Sequence, residues 1–487
     1  DGWSYYLGDP HAHTGVSGDG SFFDAESCRT CAPRSQIFQR ARNNGLDWVA
    51  FSEHMNTATS ATPVAFAELR ADVLAQDRPG TFVTIPAAEV ALADADGATL
   101  GHRTMLFFGD IAQLHTMQLA DLRYNGQDTD IGNCENVAAW AASLSDRFGP
   151  MLLVPHHTGA ARPAPVDWGC HHPEFEPVAE VYSEHGSSMY SDYAWDPPNS
   201  GGVAIGSIES ALDPDMYGLR LGFIAGTDSH DSDPGDVCRR DLMVGHATAG
   251  GLTVAMIPET ETFTRAALLE AFQQRSTYAT TGPLIPVQLQ FVSLGMDLGY
   301  MGQDIALPEG QPLAIELNYP PEFQPWVASV ALRAPGARWE MQRSGAGRWS
   351  YHFAPAQVPE LLYAEIQVTG RMWNAGECDD GGTDDAEWIW LSPSWVNLVD
   401  GDVDGDGWSW AEGDCREGDP TIGRDVPEQW YDGIDQNCDG KDDDQDSDGF
   451  LHDQDCDDQN ARVRPDAAEV WYDGIDQNCD GKDDDQD

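Results

Sequence analysis

The string WYDGIDQNCDGKDDDQD occupies residues 430–446 and returns without a change at 471–487, a period of 41 that also places Asp414-Cys415 on Asp455-Cys456. From Asp400 onward about thirty acidic side chains stand against six basic ones, Arg416, Arg424, Lys441, Arg462, Arg464 and Lys482. So few apolar residues cannot bury enough surface to offset the entropy of ordering the chain, so any fold here must come from bound ions and cross-links. The acids have a spacing suited to ions. A calcium loop of the EF-hand type takes oxygens at roughly positions 1, 3, 5, 7, 9 and 12, with Gly at the sixth for the turn. Asp435, Asn437 and Asp439 precede Gly440, with Asp443 ninth and Asp446 twelfth. Asp444, Asp446 and Asp448 precede Gly449 and lead to Asp455; Asp476, Asn478 and Asp480 precede Gly481 and lead to Asp487. Asp402, Asp404 and Asp406 precede Gly407, although the twelfth place there falls on Gly413. A disordered acidic tail would not demand glycine at the sixth place. Adjoining loops share Asp444 and Asp446 and no flanking helices are evident, so these are not independent EF-hands; Ca2+ is the expected ion.

Over the whole chain Lys and Arg number 26 against 82 Asp and Glu, a formal charge of −56. Such a surface repels nucleic acid and anionic membranes, which excludes a phosphate-backbone binder. No stretch approaches the ~18 uninterrupted apolar residues of a membrane-spanning helix. The chain starts at Asp1 without Met or a signal-like segment, as a matured exported protein would. Ten cysteines, four of them at matching places in the repeats, fit disulfides in an oxidising, extracytoplasmic compartment (secreted, periplasmic or cell-surface). Cys28-x-x-Cys31 could instead be half a zinc site, but no second such pair exists.

Residues 1–285 alternate short apolar runs with amphipathic stretches, at 41% hydrophobic content over the chain. Candidate strands are 3–7, 47–51, 81–85, 104–108, 151–154, 178–182 and 221–225, and candidate helices are 35–43, 64–74, 135–147 and 264–275. The alternation predicts an α/β fold with a mainly parallel sheet or barrel. Six of the seven strands are followed by a potential metal ligand: His11 and His13, Glu53 and His54, Glu89, His156 and His157, Glu184 and His185, and Asp228 and His230. In barrels of alternating strands and helices active sites gather at that end. Residues 286–399 change to short aromatic and β-branched runs separated by Pro and Gly, which predicts a β-sandwich without a chemical constellation. Residues 400–487 are the acidic repeats.

The motifs His11-Ala12-His13-Thr14, Ser52-Glu53-His54, Glu89, Gly101-His102-Arg103, Pro155-His156 and Asp228-Ser229-His230 occur in this order between about residues 3 and 283. With the closing run Arg275-Ser276-Thr277-Tyr278-Ala279-Thr280-Thr281-Gly282, they resemble the polymerase-and-histidinol-phosphatase (PHP) superfamily of metal-dependent phosphoesterases, in a branch with an appended β-domain. The resemblance implies a distorted seven-stranded (βα) barrel holding two to three transition-metal ions, Mn, Zn or Fe. It places one ion on His11, His13, Glu89 and Asp228, a second on Glu89, His102 and His156, and a third on Asp19, His54 and His230. Asp19 stands where the family often has His, a harder ligand that makes that position less zinc-like. His157 is an alternative to His156, and Asp24 to Asp19. The implied reaction is hydrolysis of a phosphate ester by metal-bound hydroxide. Asp9, Glu53 and His185 are candidates for orienting ligands or moving protons, and Arg103 and Arg162 for gripping an anionic substrate, each with a structural role as the alternative.

The tail resembles the metal-binding repeats of bacterial secreted proteins and, more distantly, thrombospondin type 3 repeats. That likeness implies calcium wrapped by an irregular chain stapled by Cys415–Cys438 and Cys456–Cys479. A second reading of the whole chain follows from it: a calcium-stabilised extracellular structural, adhesive or filament-forming protein that self-associates through calcium and whose barrel binds metals without turnover.

Overall fold

The computed structural model describes residues 2–14, 34–55, 63–94, 99–123, 130–132, 134–159, 165–190, 206–230, 233–237, 250–282, 284–369, 387–399, 402, 406–409, 412–416 and 419–483. Asp19, Arg162, Asp404 and Asp487, with Asp24, Cys28, Cys31, Cys238 and Cys378, lie outside these residues.

In chain order the first part contains β1 (Trp3–Ala12), α1 (Arg34–Asn43), β2 (Trp48–Phe51), α2 (Pro63–Gln76), β3 (Val83–Asp94), β4 (Thr99–Phe107), α3 (Ile111–His115) and β5 (Asp130–Gly132). There follow α4 (Cys134–Phe148), β6 (Met151–His156), β7 (Val178–Ser183), β8 (Gly186–Ser187), α5 (Ile208–Leu212), β9 (Gly222–Ala225), β10 (Leu252–Pro258), α6 (Arg265–Gln273) and β11 (Thr277–Thr280). Buried apolar runs make the central strands: every residue of β2 and β6 is buried.

The expected seven-stranded (βα) barrel is not what forms. Strand outweighs helix, 34% to 19%, with six helices among the described residues and no closed barrel. The strands hydrogen-bond in the open order β6–β4–β3–β2–β1–β10–β11, and β7, β8 and β9 form a separate three-stranded sheet. Along the open path only β1–β2 and β2–β3 are parallel; β3–β4, β4–β6, β1–β10 and β10–β11 are antiparallel. The reason is chain length between strands. A parallel crossover needs about a dozen residues or more, and β4 starts at Thr99, just after β3 ends at Asp94. The sequence places a strand at 81–85 and treats Glu89 as lying beyond it. The apolar run AAEVAL instead carries β3 on through Glu89 and into a hairpin-like return.

Past residue 286 the strands divide. Met296–Tyr300, Gln288–Ser293, Leu313–Asn318, Arg348–Phe353 and Gln342–Gly345 pair in that order as a five-stranded antiparallel sheet. Others extend the large sheet, because Glu387–Leu391 pairs with β11 through Tyr278–Leu391, Ala279–Trp390 and Thr280–Ile389. Gln288–Ser293 and Leu313–Asn318 alternate buried and half-buried residues with a period of two, one face turned to a core. That core is shared: Leu7, Val49 and Phe51 of the first part cluster with Phe291, Ile315 and Ile366 of the second.

The tail is built differently. No helix longer than a single turn and no strand occurs in its described residues, and its buried apolar side chains there are Ile422 and Val463. Disulfides Cys415–Cys438 and Cys456–Cys479 close it, and a third, Cys134–Cys170, ties α4 to the segment before β7. No helix among the described residues is long and apolar enough to cross a membrane.

Candidate metal centre

The strands of the first part bring their ligands to one place. Strand periodicity sets His11 at the end of β1 and His13 just beyond it on the same side, and the two Nε2 atoms lie 3.3 Å apart. Glu89 projects from the middle of β3. Its Oε1 is 2.7 Å from Nδ1 of His102 and 3.1 Å from Nε2 of His156. Its Oε2 is 3.2 Å from Nδ1 of His54, 3.3 Å from Nε2 of His13 and 3.5 Å from Nε2 of His11. The antiparallel register delivers His102, which pairs with Ala91 on one side and His156 on the other. Asp228 follows β9, with Oδ1 3.2 Å and 3.1 Å from the His11 and His13 Nε2 atoms. His54 and His230 approach each other at 3.4 Å between their Nε2 atoms.

Carboxylates hold several rings from behind. Glu180, inside β7, accepts from Nδ1 of His11 at 2.9 Å, and Glu184 takes Nδ1 of His230 at 3.0 Å. Such partners fix the tautomer and aim Nε2 at the centre. The strand ends close tightly here: a Cβ on Gly226 would sit 2.5 Å from the His11 Cβ and 2.8 Å from the Glu180 Oε2. His157 and Asp228 have left-handed backbones, φ 34° and 55°. Non-glycine residues hold this conformation at a cost of about 1–3 kcal/mol, and such strain gathers at functional sites.

Charge in this cluster is finely opposed. Burial works against protonated rings, yet Asp228 and Glu180 hold His11 well above the usual imidazole range, and Asp228 and Glu89 raise His13 to about 10. Burial works against charged carboxyls too, yet the surrounding rings keep Glu89 and Asp228 well below the carboxylate range. Burial and the neighbouring rings lower His156 to about 3 and push His157 well down. The buried acids thus demand positive charge, and His156 and His157 offer neutral lone pairs.

A bound metal fits that demand. Glu89 Oε2 lies within 3.5 Å of three ring nitrogens yet makes no hydrogen bond; Asp228 Oδ2 and the Nδ1 atoms of His13 and His157 are also buried without one. Native interiors rarely leave such atoms unpaired. Ligand atoms of His11, His13, Glu89 and Asp228 all lie within 4.8 Å of one another, as do those of Glu89, His102, His156 and His157, and those of His13, His54 and His230.

The remaining expected residues have structural surroundings. Asp9 is fully buried; its carboxylate accepts from Thr227 Oγ1 at 2.6 Å and from the backbone N–H groups of Thr227, His11 and Gly235, fastening the loop of Asp228 to β1. Burial pushes its carboxyl up to about 6 against those hydrogen bonds. Glu53 accepts from the Thr14 N–H at 2.8 Å. Arg103 is buried, with Nε 2.5 Å from Glu176 Oε1 and Nη1 on the carbonyls of Leu100 and His102, a packing role rather than an anion grip. His185 stands beside the cluster, its Nε2 3.1 Å from Asp228 Oδ2. Glu180 and Glu176 were not foreseen from the sequence. The signal available for Glu180 was an acid inside the apolar strand VAEVYS, which solvent exposure would otherwise explain.

In the tail one geometry repeats. The N–H groups of Gly440 and Gly481 donate to Oδ2 of Asp435 and Asp476, each at 2.7 Å, and those of Gly449 and Gly407 to Oδ2 of Asp444 and Asp402, each at 3.1 Å. Asn437 and Asn478 accept from the N–H of Asp439 and Asp480. The four glycines have φ of 81° to 97° with open space where a Cβ would go, so backbone conformation alone demands glycine. Asp444 and Asp455 are buried, and Oδ2 atoms of Asp446, Asp448 and Asp455 lack hydrogen-bond partners. Asp458, absent from the expected ligands, is buried nearby and accepts from Tyr431 Oη at 2.5 Å.

Two stretches of the tail match a described motif family. Residues 414–444 and 455–485 match the family described as a putative metal-binding motif, Cu-binding MopE, in two copies offset by the period of the sequence. No PHP family matches the chain. Uncharacterized proteins of Chlamydia trachomatis serovar D and Chlamydia muridarum are each 31% identical over 159 residues, covering 30% of this chain. The match spans 23% of either relative's length. A motif match in the tail and candidate His/Glu sites in the body thus point to metals by separate routes.

Proposed function

We propose that the chain is an extracytoplasmic metal-dependent hydrolase, acting on phosphate esters, with a calcium-binding tail. The observation that carries it is Glu89, whose two oxygens face different histidine sets: His102 and His156 on one side, His11, His13 and His54 on the other. A carboxylate so placed suits a pair of transition-metal positions. Metals held by these residues would supply Lewis acidity and make a coordinated water more acidic. Glu180 and Glu184 would orient the rings, and Asp9 would hold the Asp228 loop in place. His185 lies partly exposed beside Asp228, at the edge of the cluster.

The substrate class rests on the resemblance of the ordered His, Glu and Asp motifs to the PHP superfamily, since the fold gives it no support. The test is turnover of nitrophenyl phosphate monoesters and diesters by manganese- or zinc-loaded protein. Glu89→Gln is expected to lose several kcal/mol of transition-state stabilisation, about a thousandfold in kcat/KM. Equal activity in Glu89→Gln and wild type would refute the assignment.

For the tail, all-oxygen ligands and positive-φ glycines favour a hard cation such as Ca2+ over the copper in the matched family's name. The disulfides agree with an oxidising compartment. One observation favours calcium-dependent adhesion as a further role: Val470, Tyr472, Ile475 and Leu451 are exposed on the tail. Sedimentation with calcium and with EDTA tests it; an unchanged monomer under both conditions removes it.

A further inference from the structure

Asp228 has the same divided character as Glu89, but on a side that neither the motifs nor the resemblance accounts for. Its Oδ1 faces His11 and His13. Its Oδ2 is buried, makes no hydrogen bond, and lies 3.1 Å from Nε2 of His185. The third member is His157. Ligand atoms of His157, His185 and Asp228 lie within 4.8 Å of one another, and the His157 and His185 ring centroids are 4.9 Å apart. His157 is only 4% exposed and its Nδ1 has no partner. Its left-handed φ of 34° sets the ring there at a cost in backbone energy.

We propose that His157, His185 and Asp228 hold a further divalent transition-metal ion, with Asp228 bridging it to the ion at His11 and His13. A simple ion pair between His185 and Asp228 would account for Oδ2, but it would leave the His157 Nδ1 buried without a partner. Two imidazoles and one carboxylate form a borderline set that suits Zn2+, Mn2+ or Fe2+ rather than Ca2+ or Mg2+. Three protein ligands leave open positions, as at sites that exchange water or substrate. His185, 20% exposed, is where an incoming ligand would arrive. The bridge borrows the central ion of the hydrolase reading, but the site itself requires no turnover.

His157 also lies within reach of Glu89, His102 and His156, so the experiment must decide which position it serves. The full chain is loaded with zinc in excess calcium, which keeps zinc off the tail, then dialysed and measured for bound zinc per chain. His185→Ala is expected to hold one equivalent less than wild type, with its melting profile preserved because the ring is at the edge of the cluster. His157→Gln is expected to lose one equivalent, and the double variant no more than one, since both rings serve a single ion. Unchanged zinc in His185→Ala overturns the proposal and leaves the hydrolase reading standing. So does a double variant that loses two equivalents, which would assign His157 to the Glu89 side. A fully loaded wild type that hydrolyses nothing sinks the hydrolase reading and leaves this site intact.

Discussion

The body and the tail both gather acidic ligands, but they hold them by opposite means. In the body, His11, Glu89, His156 and Asp228 are far apart in sequence and meet because β1, β3, β6 and β9 are anchored in apolar cores. In the tail, Asp435, Asn437 and Asp439 are neighbours, positioned by their own backbone N–H bonds and by a cross-link between Cys415 and Cys438. Rigid support from afar can hold ligands ready before an ion arrives. Local support cannot, because like charges in a chain with little core repel each other until a cation neutralises them. The contrast separates a preformed centre from one that folds with its ion.

Removing calcium should break the comparison most visibly. With EDTA the tail is expected to lose its order almost completely, seen as amide exchange and proteolysis confined to residues 400–487, while the body keeps its melting transition. Loss of order in both regions together would mean that the body also needs its ions to fold. The next effect is in the body: Glu180→Gln keeps the shape but weakens the hold on His11, and should reduce zinc affinity by about 10–100-fold without altering tail calcium. No change in zinc affinity would make Glu180 a packing residue.

Acidity sharpens the contrast further. In the metal-free centre His13 is raised from 6.5 to about 10, so zinc must displace its proton, and affinity should climb with pH by about tenfold per unit for each proton displaced. The same shift sets the stability of the metal-free body. Its contribution is complete below pH 6.5 and fades as pH rises towards about 10. Denaturant titrations of stripped and zinc-loaded protein across that range would read it; a stripped protein that gains stability with pH contradicts it. The smallest effect is local. Gly440→Ala must hold φ near 81°, a strain of about 1–2 kcal/mol, or roughly tenfold in calcium affinity, with the Gly481 loop as internal reference.

The sequence made the ligands legible but not their scaffold. His11, His13, His54, Glu89, His102, His156, Asp228 and His230 stand out because imidazoles and carboxylates beside apolar runs are costly unless used, and the structure brings them together. The barrel expectation failed at one short connection. Between Asp94 and Thr99 the chain has room only to turn back, and an alternating pattern of apolar runs does not reveal strand direction. Glu180 escaped notice because an acid inside a strand reads as a solvent-facing residue unless the neighbour behind it is known. In the tail spacing and glycine are enough to locate the loops, whereas Asp458 is hidden because its place depends on Tyr431 from the preceding repeat.

That contact between Tyr431 and Asp458 has a consequence for how the tail melts. Asp458 also receives the Gln445 N–H at 3.2 Å, so it is clasped twice by the preceding repeat. Arrays whose units touch only their neighbours behave as one-dimensional chains, in which loosening one link weakens the next. Calcium uptake by the tail should therefore steepen as successive repeats fill, like a zipper whose first tooth is the hardest to close.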